Sequence, residues 1–221
     1  MGYNWQWDIA LEWIPWVLVG IGNTILLAIT SMVTGLALGV MVAMARISGP
    51  TWLRRLTLVY TEFFRNTPFL IQLVWVFYAI PIITGNITPA AFLAAWVALS
   101  LNLGAFLGEV LRAGVAAVDK GQWDAGRALG MSQRQVYRRI VLPIATIYVI
   151  PPIATFWVST FRETSLASVI SVTELFFRAR WAATITFQFL ELYIIVGVIY
   201  FLATYPQARA VDFIHRRVRL H

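Results

Sequence analysis

Seventeen lysines and arginines, ten carboxylates, two histidines and no cysteine are the side chains with which this chain could do acid–base, nucleophilic or metal chemistry. Without cysteine there is no thiol nucleophile, no disulfide and no Cys-ligated zinc or iron–sulfur cluster. His215 and His221 both lie among the arginines of the terminal segment, and no His-based triad or buried metal site is expected from them. The only lysine is Lys120, and Asp119 precedes it, so the Gly-Lys of a phosphate-binding loop cannot be formed. Ser132 has Gly130 before it but Arg134 after it, which is not the Gly-x-Ser-x-Gly of a nucleophile elbow. No His-Glu-x-x-His occurs. The sequence therefore predicts no catalytic residue, no metal and no cofactor in this chain. What remains is a small set of charges in apolar surroundings. Arg65 opens a long charge-free run, Glu109 and Arg112 are one helical turn apart, and Glu191 stands alone in an apolar stretch.

Those charges must be positioned by elements that are far too apolar for a water-soluble domain. Sixty per cent of the 221 residues are hydrophobic and 12% are charged, against roughly 45–50% and about 25% in soluble domains. Mean hydropathy is +0.75. Charge-free runs cover 13–45 and 66–108, and apolar runs cover 140–161 and 181–208. A helix needs about 20 apolar residues to cross a bilayer, and backbone in hydrocarbon must pair internally. The pattern predicts five transmembrane helices near 15–45, 57–81, 89–117, 140–161 and 185–208, forming one domain over 1–221. A turn between the second and third is marked by Pro81, Gly85, Asn86 and Pro89. The first run is too long for a signal peptide and no positive residue precedes it, so it is read as a span. Continuous hydrophobicity argues against a transmembrane barrel.

The net charge of +7 reads as topology rather than nucleic-acid binding. Thirteen of the seventeen basic residues fall in 46–55, 112–139 and the C-terminal tail. The positive-inside rule then puts the N-terminus outside and the C-terminus in the cytoplasm, as five spans require. Trp5, Trp7, Trp13 and Trp16 are expected to form an interfacial belt. Gly35-x-x-x-Gly39 and Gly104-x-x-x-Gly108 would let helices approach closely.

The segment 119–139 is more than a connector. Asp119 with Gln122 three residues on can cap a helix over 120–129. Gly130 supplies a left-handed stop. Ser132 with Gln135 makes a second capping box, from which a helix runs through Arg138 and Arg139 into the fourth span. A short helix centred on Trp123, Asp124, Ala125 and Gly126 is thus expected on the cytoplasmic face. Small residues beside a bulky aromatic would let it enter a groove in another protein.

Asp124-Ala125-Gly126, three residues, Gly130, nine residues, Ile140, one residue and Leu142-Pro143 together resemble the EAA loop of the membrane subunits of ABC importers. Asp124 stands for the usual Glu and Gly126 for the second Ala. Phe64-Arg65-Asn66-Thr67-Pro68-Phe69-Leu70-Ile71-Gln72-Leu73 is similar to the second-span signature of the polar amino acid permeases within that family. Gly108 to Gly114, Glu163-Thr164-Ser165-Leu166 and Thr173-Glu174-Leu175 resemble further segments of that branch. The Trp-rich N-terminus and Phe176-Phe177-Arg178 look most like glutamate/aspartate permeases.

The resemblance implies an all-α integral membrane fold of the type I ABC importer permease kind, with a coupling helix between spans three and four. It implies a subunit of an importer in the cytoplasmic (inner) membrane, moving a polar amino acid by alternating access. ATP and Mg would be bound by a separate cytoplasmic ATPase dimer, which docks on Gln122, Trp123, Asp124, Ala125, Gly126 and Gly130. Ile140, Leu142 and Pro143 would link that helix to the spans. A second permease subunit and an extracytoplasmic amino-acid-binding protein complete the expected partners, beside the lipid bilayer. Glu62, Arg65, Thr67, Gln72, Glu109, Arg162, Glu163 and Glu191 are the candidate pathway or gating residues. For several of them plainer roles stand beside that one: an Arg65–Glu62 ion pair, an intrahelical Glu109–Arg112 pair, and simple solvation of Glu191. Arg162 and Glu163 are adjacent, which on a helix sends them to different faces. The rival reading, a self-sufficient secondary transporter or channel, needs no EAA-like loop, and neither internal repeats nor many intramembrane charges are present.

Overall fold

The computed structural model describes residues 3–85 and 87–218, and among them every regular element is helical. The elements are α1 (Trp7–Glu12), α2 (Ile14–Leu18), α3 (Ile21–Ser48), α4 (Thr51–Asn66), α5 (Phe69–Val74), α6 (Ile80–Thr84), α7 (Ala91–Ala116), α8 (Lys120–Ala128), α9 (Gln133–Val136), α10 (Leu142–Glu163), α11 (Leu175–Thr186) and α12 (Phe189–Val218). Wide turns over Trp75–Ala79 and Tyr137–Val141 join α5 to α6 and α9 to α10. Four stretches are long and apolar enough to cross a membrane: Ile14–Ser48, Ala91–Ala116, Gln133–Ile170 and Phe189–Phe213. The fifth candidate is a broken pair, Thr51–Asn66 with Phe69–Thr84, bent by 109°. The side chains at 214, 215 and 217–221 lie outside the described part, and the expectation about the tail histidines falls there.

The second span is therefore not the single helix expected over 57–81. Thr67 is extended (φ −110°, ψ 139°), because a residue preceding proline is driven out of the helical region. The turn expected over 81–89 is also shorter. The helix continues through Pro81 to Thr84 and stops at Gly85, whose φ is +66°. The expected start of the fifth span at residue 185 falls on α11 instead. Phe187 breaks the chain there at φ +60°, and α12 begins at Phe189.

The chain divides into two compact units. The first comprises 1–32, 69–99 and 157–208. In it Ala10 and Val17 pack on Leu175, Ala179, Ala182, Ala183 and Leu192. A second cluster joins Leu27 and Leu73 to Ala94, Ala95, Ala98, Leu99 and Ile170. Alanine is the commonest residue in both, because lipid is as apolar as leucine and helices associate by close packing of small residues. Glu191 in α12 is fully buried; its carboxylate accepts from the Tyr3 hydroxyl at 2.6 Å and from the Gln6 N–H at 3.0 Å. This pins the N-terminal segment, where the Trp5 and Trp7 rings stack at 5.4 Å.

The second unit comprises 33–68, 100–156 and 209–221. Here α3 and α7 meet through the expected small residues. A side chain at Gly39 would place its Cβ 2.9 Å from that of Leu107. The Thr34 and Ser100 hydroxyls share a hydrogen bond of 2.5 Å. The Tyr60 hydroxyl donates to the Leu101 carbonyl at 2.6 Å, holding α4 to α7. Large apolar side chains remain exposed all round, among them Val33, Met44, Trp52 and Val59. A bilayer is the solvent in which such a surface is stable.

Candidate functional site

The segment after α7 folds as a clamped helix. Asp119 caps α8, its carboxylate accepting from the Gly121 N–H at 2.7 Å; Gln122 does not complete the expected box. At the other end the Met131 N–H donates to the Gly126 carbonyl at 3.2 Å and the Gly130 N–H to the Arg127 carbonyl at 2.9 Å. That is a Schellman closure, and it requires the left-handed residue Gly130 at φ +76°. The second box is complete: Ser132 and Gln135 satisfy each other's backbone N–H.

What holds α8 against the start of the fourth span is Gly126, one of the two residues that depart from the EAA pattern. A Cβ at Gly126 would meet Ile140 Cδ1 at 2.8 Å and Val136 Cγ2 at 2.9 Å. Gly126 is buried, and around it Val118, Val136, Val141 and Ala145 form a core covered by Trp123, Met131 and Ile140. The Trp123 and Tyr137 rings lie 6.3 Å apart. Glycine lowers helix propensity by roughly 1 kcal/mol relative to alanine, and here it offsets that by close helix contact. The opposite face of α8 is bare: Gln122, Asp124, Ala125, Arg127 and Leu129 are exposed, Leu129 at 80%. The Asp124–Arg127 pair at 3.7 Å is solvated and adds little stability. Leu142 and Pro143, at the start of α10, are exposed as well.

The candidate pathway residues divide between the two units. In the second unit Glu62 is engaged within its own helix, accepting from the Asn66 side chain at 3.0 Å. The expected Arg65–Glu62 pair is not formed; the Arg65 guanidinium lies 5.8 Å from the centre of the Phe106 ring. The Thr67 hydroxyl donates to the Phe63 carbonyl at 2.8 Å. Glu109 makes the expected bond to Arg112, but also an ion pair with Arg46 at 2.6 Å. Arg46 and Glu109 are 63 residues apart, so no spacing rule could have paired them. In the first unit Gln72 is buried, and Arg162 and Glu163 line one open cleft of about 350 Å³ with Ser159, Ser165 and Leu166. Both belong to the last turn of α10, Arg162 exposed and Glu163 half-buried, just before a tighter turn over Thr164–Ile170.

A further carboxylate carries a structural load. Glu174 is fully buried; it accepts from the Phe176 and Phe177 N–H groups at 2.8 and 2.6 Å and from the Tyr200 hydroxyl at 2.9 Å. Burial pushes its carboxyl up to about 7, against the opposing pull of those donors and of Arg180. The folded chain thus holds the Glu174 proton more tightly than the unfolded one. The associated stability is complete below the ordinary carboxylate range and is lost as pH rises through about 7. Glu174→Gln is expected to flatten the fall in melting temperature between pH 5 and pH 8, a change of several degrees in the parent. Parallel melting profiles for parent and variant would refute the assignment.

The chain matches, over residues 35–220, the family described as binding-protein-dependent transport system inner membrane component. The chain belongs to that family. This permease is 38% identical over 221 residues to the L-cystine transport system permease protein TcyB of Bacillus subtilis (strain 168), covering 99% of this chain and 93% of that one. It is 30% identical over 217 residues to the glutamine transport system permease protein GlnP of Escherichia coli (strain K12), covering 97% and 99%. A crystal structure of an amino acid ABC transporter with histidines superposes with a TM-score of 0.91 at 27% identity, over 97% of this permease and 100% of that chain. The inward-facing MetNI methionine ABC transporter shares the fold, with a TM-score of 0.67 at 21% identity. The permease is thus an all-helical, multi-pass component of an inner-membrane ABC importer, as the EAA-like spacing implies. Among the described residues no group of His, Cys, Asp or Glu is placed to hold a metal.

Proposed function

We propose that this permease is the membrane half of an ATP-driven importer of polar amino acids. The observation that carries the reading is the geometry of α8: fixed on one face to Val136 and Ile140, bare on the other. A helix held this way transmits force applied to its outer face directly into α9 and α10. Two cytoplasmic ATPase subunits dock on Gln122, Asp124, Ala125 and Leu129, while Trp123 and Gly126 face the clamp, and the ATPase binds the ATP and Mg that drive the cycle. Two permease subunits, identical or related, face each other about a two-fold axis. The N-terminus is outside and the C-terminus cytoplasmic, in keeping with the arginines of 46–55 and 112–139. A soluble binding protein delivers the substrate from outside. The cleft at Arg162 and Glu163 offers a guanidinium and a carboxylate side by side, which suits the carboxylate and ammonium of an amino acid. The relatives' names, cystine and glutamine, support an amino acid substrate. They do not extend to the glutamate/aspartate class suggested by the Trp-rich N-terminus, so the proposal stands at polar amino acids.

The test is native purification of the permease with every chain that accompanies it, followed by reconstitution into liposomes. Uptake of labelled cystine, glutamine, arginine, glutamate and aspartate is measured with and without ATP and the binding protein. A stoichiometric ATPase and ATP-dependent uptake of at least one of these are expected. A chain that purifies alone and moves solute without ATP would instead be a secondary transporter or channel.

A further inference from the structure

An apolar groove of about 540 Å³ runs along the second unit between α3, α7 and α10. Leu36, Val40 and Met44 form one wall; Leu142, Val149 and Ile153 form the other. Only Tyr137 and Thr146 bring hydroxyls to its lining, and that of Thr146 is spent on the Leu142 carbonyl at 2.7 Å. From Leu36 to Ile47 the wall rises eleven residues, about 16 Å. The wall from Leu142 to Ile153 has the same length. Half of a bilayer's hydrocarbon core is about 15 Å, so the groove spans one leaflet. Its ends differ. One end is reached by Ile47, Val115 and Tyr137, at the last turns of α3 and α7 and the approach to α10. Next to Tyr137 in the chain come the exposed Arg138 and Arg139, with the exposed Arg134 one turn before it; the three flank the groove's lining without belonging to it. None of these three makes an ion pair among the described residues, whereas Arg46 and Arg112 at the same end are both engaged by Glu109.

From the length of the groove, its apolar walls and the cations at one end, we infer that it is a binding site for an anionic phospholipid. An acyl chain lies between α3 and α10, and the phosphate meets Arg138 and Arg139. The lipid then wedges the helix that continues from the α8 clamp. Assignment to the cytoplasmic leaflet rests on the orientation proposed above. Lipid retention is read without transport, so failure of the importer reading would leave this site standing.

The permease, with the chains that purify with it, is equilibrated in nanodiscs of equal phosphatidylglycerol, phosphatidylethanolamine and phosphatidylcholine with identical acyl chains. It is then released in mild detergent, and retained lipid is measured by native mass spectrometry. About one phosphatidylglycerol per permease chain is expected, enriched about tenfold over phosphatidylcholine, as one charge-assisted contact would give. Val40→Trp fills the groove from an exposed position and should remove most retained lipid of every class. Met44→Trp, also exposed, is the second filling variant should the first not assemble. The double variant Arg138→Gln, Arg139→Gln should keep a lipid but lose the preference for phosphatidylglycerol. Equal retention by both tryptophan variants and the parent, no retained lipid in the parent, or cross-linking of Val40→Cys to a second polypeptide would each overturn the site.

Discussion

Gly130→Asp should leave the permease folded and assembled in the membrane but reduce ATP-dependent uptake by about ten- to a hundredfold, the equivalent of roughly 1.4–2.8 kcal/mol. Gly130 sits at φ +76° and no atom lies within 4 Å of where its Cβ would be. The substitution therefore cannot clash; it acts through backbone strain and charge. Left-handed backbone costs an ordinary residue about 1–2 kcal/mol, and less for Asp or Asn, whose short polar side chains tolerate that region. The greater part of the loss would come from burying an unpaired carboxylate under the docked ATPase, on the face exposed around Leu129. Gly130→Asn shares the strain without the charge, so it should retain most of the uptake. Gly130→Val, branched at Cβ, should impair both stability and uptake. Measured uptake and ATPase stimulation in the same liposomes separate these cases. If Asp transports as the parent does, α8 is not the coupling surface. If Asn is as damaging as Asp, the closure of the helix matters and the charge does not.

Glu109→Ala should lower the melting temperature of the purified permease by about 5 °C. Glu109 serves both Arg46 and Arg112, and its removal leaves two guanidiniums facing each other without a countercharge. Removing one partner of a fully buried pair costs about 3–5 kcal/mol. The side chains of Arg46 and Glu109 are 17% and 22% exposed, which brings the expected cost nearer to about 2 kcal/mol, at about 2–4 °C per kcal/mol for a chain of this size. The companion variant is Glu109→Leu with Arg46→Leu. It removes one of the two orphaned cations as well as the carboxylate and should recover part of the loss. A double variant no more stable than Glu109→Ala would mean that the triad does not bridge α3 and α7 energetically.

Much of this protein was legible one residue at a time. Charge-free runs located the helices, because hydrocarbon admits neither charge nor unpaired backbone. The α8 segment was readable from Asp119, Gly130, Ser132 and Gln135, since caps are local: each donor and acceptor lies within a few residues of its partner. The Gly35 and Gly39 pair marked a close approach, and α3 does meet α7 there. The break at Thr67-Pro68 was present in the sequence as a proline inside an apolar run. Hydropathy alone bridged it, because hydropathy is blind to φ and ψ.

What the sequence by itself determined was composition-driven: a helical membrane chain, its approximate spans, its basic face and the family whose loop it carries. Tertiary structure alone decided which charges were free to act. Arg46 and Glu109 pair across 63 residues, Tyr3 and Glu191 across 188, and Glu174 is buried against Tyr200. Each pairing depends on where distant segments of the chain come together. Packing fixes that, and helical periodicity does not encode it. The same holds for Gly126, which in sequence is a weaker helix former than alanine. It becomes a contact surface only where Val136 and Ile140 are folded back onto it.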